Sequence, residues 1–153
     1  MVGWEKGDKD EPLASSAENQ IPIFPRMLLG FANLVKKNFS VAIDEMRKAR
    51  ELSGDATLML AFLGDAYAAA RKPEEARGIL EELTARSRKE YVSAYLRARA
   101  YASLGDLDKA FELANEACER RDEVLILIKI DPSFVPYRSD PRYQALLKKI
   151  GLE

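Results

Sequence analysis

The chain has 153 residues, enough for one domain that buries roughly two-thirds of its unfolded surface. Apolar residues make up 47% and charged residues 32%, and 24 basic against 25 acidic side chains leave a net charge of −1. No strong field exists to draw in nucleic acid or an anionic membrane, and a soluble, helix-rich protein is expected.

Residues 1–20 are rich in Gly, Asp, Lys, Ser and Glu and show no helical period. They read as a tail or linker with too little apolar surface to stay folded. Trp4, the only tryptophan, sits in this tract. It is either exposed or an anchor docked on the groove of its own or a neighbouring molecule. The tract lacks the apolar core of a signal peptide. The apolar run at 21–35 is broken by Pro22, Pro25, Arg26 and Asn33, so no membrane span is expected. The expected location is the cytoplasm.

A step of 34 residues then governs the sequence. Tyr67 recurs as Tyr101, Ala66 as Ala100 and Ala76 as Ala110. Backwards, Gly64 answers to Gly30, Ala66 to Ala32 and Ala76 to Ala42. Each unit carries two helical patterns, which predicts three repeats over 23–56, 57–90 and 91–124. The expected helices are 25–36 and 40–52, then 56–70 and 74–88, then 92–104 and 107–120. Pro25 and Pro73 suit first helical turns, where the missing N–H is tolerated. Ser40 reads as an N-cap. Ser53-Gly54-Asp55 stops one helix, and Gly105-Asp106 turns between two others. Gly30, Gly64 and Ala98 let paired helices approach Ala42, Ala76 and Ala110. Larger residues such as Leu29, Leu63, Tyr67, Leu80 and Tyr101 fill the holes. Each pair leaves a face for the next to bury.

Residues 125–153 form a capping segment. The apolar stretch at 124–130 fits a short helix or an extended strap, and periodicity over so few residues does not decide. Asp131-Pro132 and Asp140-Pro141 each supply an N-cap acceptor followed by a pre-set φ. The second opens a helix over 141–149 with Tyr143, Leu146, Leu147 and Ile150 on one face, ended by Gly151.

A two-helix repeat of this length, with its Gly/Ala–Tyr–Ala framework, resembles the tetratricopeptide repeat family over about 23–124. The fold this implies is all-α: a helix-turn-helix solenoid of three repeats plus a helical C-terminal cap. Asn33 replaces the family tyrosine, Arg97 stands at a usually apolar position, and Ala114 is small where the family is bulky. The last two point to an unusual contact of the third repeat with the tail that follows. That tail, with Asp131-Pro132, Phe134, Pro136, Arg138 and Asp140-Pro141-Arg142-Tyr143, is similar to C-terminal repeat regions of multidomain bacterial regulators. In those proteins the repeats follow a kinase, a nucleotide cyclase or a winged helix, none of which is present here.

The resemblance implies a partner-binding groove lined by first helices. Its positions map to Phe24, Met27, Phe31 and Leu34, then Leu58, Ala61, Asp65 and Ala68, then Val92, Tyr95, Arg99 and Ala102. Phe24, Met27 and Phe31 also fit core or self-contacts. The family's clamp for a terminal carboxylate is missing, because its positions carry Met27, Phe31, Phe62, Val92 and Leu96. The nearly all-apolar first helix predicts a homodimer through Met27, Leu28 and Phe31.

Catalysis finds no foothold. There is no histidine, and the lone Cys118 reads as a buried thiol rather than a nucleophile. One cysteine excludes an internal disulfide, which suits a reducing compartment. No cofactor or metal is expected. The expected function is a non-enzymatic interaction or scaffold module for a protein or peptide partner, from a bacterial signalling protein. Nucleic acid and membrane are not expected partners. The alternatives are a small-molecule sensing domain coupled to an output domain, or a structural spacer.

Overall fold

The computed structural model describes residues 21–152. The expected tail at 1–20, with Trp4, lies outside the described residues. Within them the fold is all-α and no strand occurs. Six helices form three pairs: α1 (Ile23–Val35) with α2 (Phe39–Leu52), α3 (Thr57–Ala69) with α4 (Pro73–Ser87), and α5 (Ala94–Leu104) with α6 (Leu107–Glu119). Two 3₁₀ helices follow, Glu123–Lys129 and Val135–Tyr137, then α7 (Pro141–Lys149). The pairs stack in order as a helical repeat solenoid, with α3 against α2 and α5 against both α3 and α4. The first helices α1, α3 and α5 therefore lie side by side.

The 34-residue step is built into the backbone. Lys37, Arg71 and Gly105 have φ of 60°, 56° and 85°, the left-handed region, one in each intra-pair turn. The N–H groups of Asn38, Lys72 and Asp106 each bond a carbonyl five residues back, at 2.8, 2.9 and 3.0 Å. This closes each first helix in the same way and satisfies its last carbonyls. Asn38, not Ser40, precedes α2, and its side chain makes no capping bond. Its amide donates instead to Asn33 Oδ1 at 3.2 Å, because the turn folds Asn38 back over the end of α1.

Second helices begin at Phe39, Pro73, Leu107 and Pro141, so α7 keeps the same step. The capping segment is an incomplete fourth unit. Where the other units have a first helix, this one has 3₁₀ turns. Pro132 and Pro136 deny the N–H donors that an α-helix would use there. The stretch left undecided between helix and strap is thus the 3₁₀ helix Glu123–Lys129, with Leu125 and Ile128 buried. Asp140 caps α7, accepting from the Arg142 N–H at 2.9 Å.

Two apolar clusters fill the interior. The first joins the first two pairs through Met46, Leu60, Leu63, Tyr67 and Leu83 and reaches Val92 and Leu96. The second joins α5 and α6 to the C-terminal segment. Its hub is Phe134, fully buried, which stacks on Tyr95 (5.8 Å, 15°) and meets Phe111 edge-on (5.8 Å, 65°). Ala114, small against the family pattern, is buried in this cluster beside the segment that fills it. Arg97 pairs with Glu116 across the pair at 3.7 Å.

Tyr67 and Tyr101 occupy equivalent places. Tyr67 lines a hollow with Arg47, Arg50, Glu51 and Gly54 of the preceding pair. Tyr101 lines the next hollow with Glu81, Thr84, Ala85 and Arg88, each 34 residues further on.

The close approaches at the two helical glycines differ. A Cβ on Gly30 would meet the Met46 methyl at 2.6 Å, the free end of a flexible chain. A Cβ on Gly64 would meet Ile79 Cγ2 at 2.9 Å, held stiff by branching at Cβ. Gly64→Ala is therefore expected to lose about 1–3 kcal/mol by overpacking. Gly30→Ala is expected to stay within about 1 kcal/mol of the parent, since helix propensity offsets the crowding. Urea unfolding of the two variants checks this order, and equal losses would contradict it.

Candidate functional site

A groove of about 560 Å³ runs along the first helices. Phe31, Leu34 and Val35 of α1 form one wall. Asp65, Ala68 and Ala69 of α3 and Arg99, Ala102 and Ser103 of α5 form the floor. Pro132, Ser133, Pro136 and Tyr137 of the C-terminal segment form the other wall. Small alanines on α3 and α5 hollow the floor, while Phe31 is held by an edge-on contact with Phe62 at 4.9 Å.

An ion triad lies under this floor. Arg99 is 4% exposed and pairs with two carboxylates: its Nη2 donates to Asp65 Oδ2 at 2.5 Å, and its Nε lies 2.6 Å from Asp131 Oδ2. The second contact is an ion pair only, because the Nε–H is not aligned for a hydrogen bond. The guanidinium also sits over the Phe62 ring at 5.0 Å. Asp131 is fully served: the Tyr95 hydroxyl donates to Oδ2 at 2.7 Å and the Ser133 N–H to Oδ1 at 2.9 Å. Asp65 is not. Its Oδ1 has only the Ser103 and Ser133 hydroxyls, at 3.4 and 3.5 Å.

The electrostatics follow from burial and charge count. Burial pushes the Asp65 carboxyl up to about 6; Arg99 opposes this and Asp131 adds to it. Burial raises the Tyr95 hydroxyl, and the Asp131 charge raises it further, so it stays protonated as the donor. Burial alone would lower Arg99, but Asp65 and Asp131 outweigh it and hold the guanidinium charged.

The Asp65 shift has a sign. Its folded pKa lies above the unfolded 3.8, so the folded chain holds the proton more tightly. The group's stabilising contribution is full below pH 3.8 and is lost as pH rises through about 6. Asp55 and Asp140, lowered by Arg50 and Arg142, act in the opposite sense in acid. The effect is therefore read as wild type minus Asp65→Asn. That difference is expected to move by about 2–3 kcal/mol in favour of wild type between pH 7 and pH 4. Urea unfolding at both pH values measures it, and a flat difference would contradict the burial of this charge.

The residues expected to line a groove divide into two sets. Phe31, Leu34, Asp65, Ala68, Arg99 and Ala102 do line it. Phe24 is exposed at the start of α1 and stands outside it. Met27 and Leu58 pack against the first apolar cluster, and Ala61 and Val92 are buried in it. Tyr95 is fully buried under the C-terminal segment, so it is closed to a partner, and Arg99 is open only at the floor. Of the residues expected to form a dimer face, Leu28 points outward, whereas Met27 and Phe31 turn to the core and groove. The outward face of α1 is Phe24, Leu28 and Leu29, while Val35 is exposed at the rim of the groove. Cys118 is half-buried at the edge of the second cluster.

Sequence reading did not place Val35, Ala69, Ser103, Pro132, Ser133, Pro136 or Tyr137 in the groove, nor Asp131 beneath it. One signal was available: Ser133 is the next step in the row Phe31, Asp65, Arg99. Among the described residues no cluster could hold a metal ion, and no helix is long and apolar enough to cross a membrane. No family model, curated protein or solved structure matches the chain.

Proposed function

We propose that this chain is a non-enzymatic interaction module of the tetratricopeptide type that holds a peptide segment of a protein partner along the groove of α1, α3 and α5. The observation that carries the reading is the groove itself: open, about 560 Å³, and lined mainly by apolar side chains. A peptide gains affinity there by burying apolar side chains without ordering the receptor. A larger hollow of about 650 Å³ between α4 and α5 suits a peptide less, since Arg77, Glu81, Arg88 and Asp106 ring it with charge. The context proposed is a bacterial regulatory or signalling protein, on the strength of the repeat framework and the tail pattern.

The spacer reading has one observation in its favour. Residues 131–137 already occupy the α5 end of the groove, with the Tyr137 hydroxyl donating to the Ala102 carbonyl at 3.2 Å. The α1 and α3 end stays open, so peptide binding is preferred.

Selection from a displayed random-heptapeptide library separates the two. Wild type is expected to enrich a family of sequences, and Ala69→Trp, an exposed site that narrows the groove, to enrich none of them. No enrichment on wild type, or the same enrichment on both, would contradict the groove reading.

A further inference from the structure

The triad under the groove does not balance. Asp65 and Asp131 share the one guanidinium of Arg99, Asp65 through the hydrogen bond from Nη2 and Asp131 through the ion pair at Nε. Asp131 also holds the Tyr95 hydroxyl and the Ser133 N–H. Two carboxylates on one cation leave one negative charge over, and the least satisfied edge is Asp65 Oδ1, which has no bond shorter than 3.4 Å. Its side chain is 14% exposed, and that exposure opens into the groove. Around it stand Phe31, Leu34 and Ala68, which carry no charge, and no lysine or second arginine lines the groove. A carboxylate left short of partners in a mainly apolar trough is a poor neighbour for an anion and a good one for a cation.

We propose that Asp65 is the specificity point of the groove: it takes a single ammonium or guanidinium from a peptide whose flanking residues are apolar. This rests on the peptide-binding reading above and adds the chemistry of the ligand. The incoming cation completes a four-charge cluster, two carboxylates with two cations, and its stem lies along Phe31 and Ala68. Longer basic tracts are excluded, because the groove offers one carboxylate edge and no second. Acidic peptides are repelled by the same edge.

The test uses the full chain and the same random-heptapeptide library, selected on wild type and on Asp65→Asn. Folding of the variant is verified by its circular dichroism melt. Wild type is expected to enrich one lysine or arginine between apolar positions, and Asp65→Asn to keep the apolar positions while losing the basic one. A synthetic peptide of the wild-type consensus is expected to bind Asp65→Asn about tenfold more weakly, as loss of a bond between charged groups implies. The same peptide with norleucine for its basic residue should lose about tenfold on wild type and nothing on the variant. Enrichment of apolar sequences without a basic position, or of the same basic position on both proteins, overturns the subsite and leaves the groove reading standing. Absence of any enrichment overturns both.

Discussion

Replacing Arg99 with methionine is expected to cost about 3–5 kcal/mol of folding stability, among the largest losses from any single change in this chain. Two carboxylates, 14% and 1% exposed at their side chains, would be left facing one another without a cation. The penalty is their desolvation rather than the net worth of the ion pairs. The loss should shrink in acid, because Asp65, already raised to about 6, takes up a proton first and relieves the repulsion. Urea unfolding at pH 7 and pH 5 checks both points. A loss under about 1 kcal/mol at pH 7 would mean that water reaches the triad freely.

Phe134→Ala is expected to cost a similar amount, about 3–5 kcal/mol, for a different reason. Phe134 is fully buried, and Tyr95 and Phe111 rest on its ring. Its removal leaves a cavity at the joint between α5–α6 and the C-terminal segment. In a stack where units meet mainly their neighbours, the damage should stay largely local. Hydrogen exchange is expected to speed up in α7 and around Asp131, while amides of α2 and α3 keep their protection. Uniform loss of protection along the chain would show instead that the solenoid unfolds as one block.

These two residues also mark how far the sequence could be read. The repeat was legible because helices have a period and turns have a chemistry. Pro73 and Pro141 open helices at the expected residues, and Gly105 sits in the left-handed turn that suits it. Lys37 and Arg71 adopt that conformation without glycine, so the turn is set by the helix-ending hydrogen bonds rather than by residue type. The groove was half legible. Phe31, Leu34 and Asp65 line the groove that the tetratricopeptide resemblance implied. In the next repeat Arg99 stands where Asp65 and Phe31 do, and Tyr95 where Ala61 and Met27 do; Tyr95 is covered and Arg99 reaches only the floor, because both pair with Asp131. Read alone, Asp131 before Pro132 signals a turn, and it does hold the Ser133 N–H. Its second task, neutralising a cation 32 residues earlier, leaves no mark in local pattern. The short stretch around Glu123–Lys129 stayed ambiguous because a 3₁₀ turn has neither a strand's period nor a helix's length.

The most direct measurement is amide chemical-shift mapping of the full chain during titration with a peptide enriched on wild type. Shifts are expected to concentrate at Phe31, Leu34, Asp65, Ala68 and Ala69 and to leave the hollow around Glu81 and Tyr101 unmoved. Shifts confined to that second hollow, or to the outward face at Phe24, Leu28 and Leu29, would contradict the groove reading.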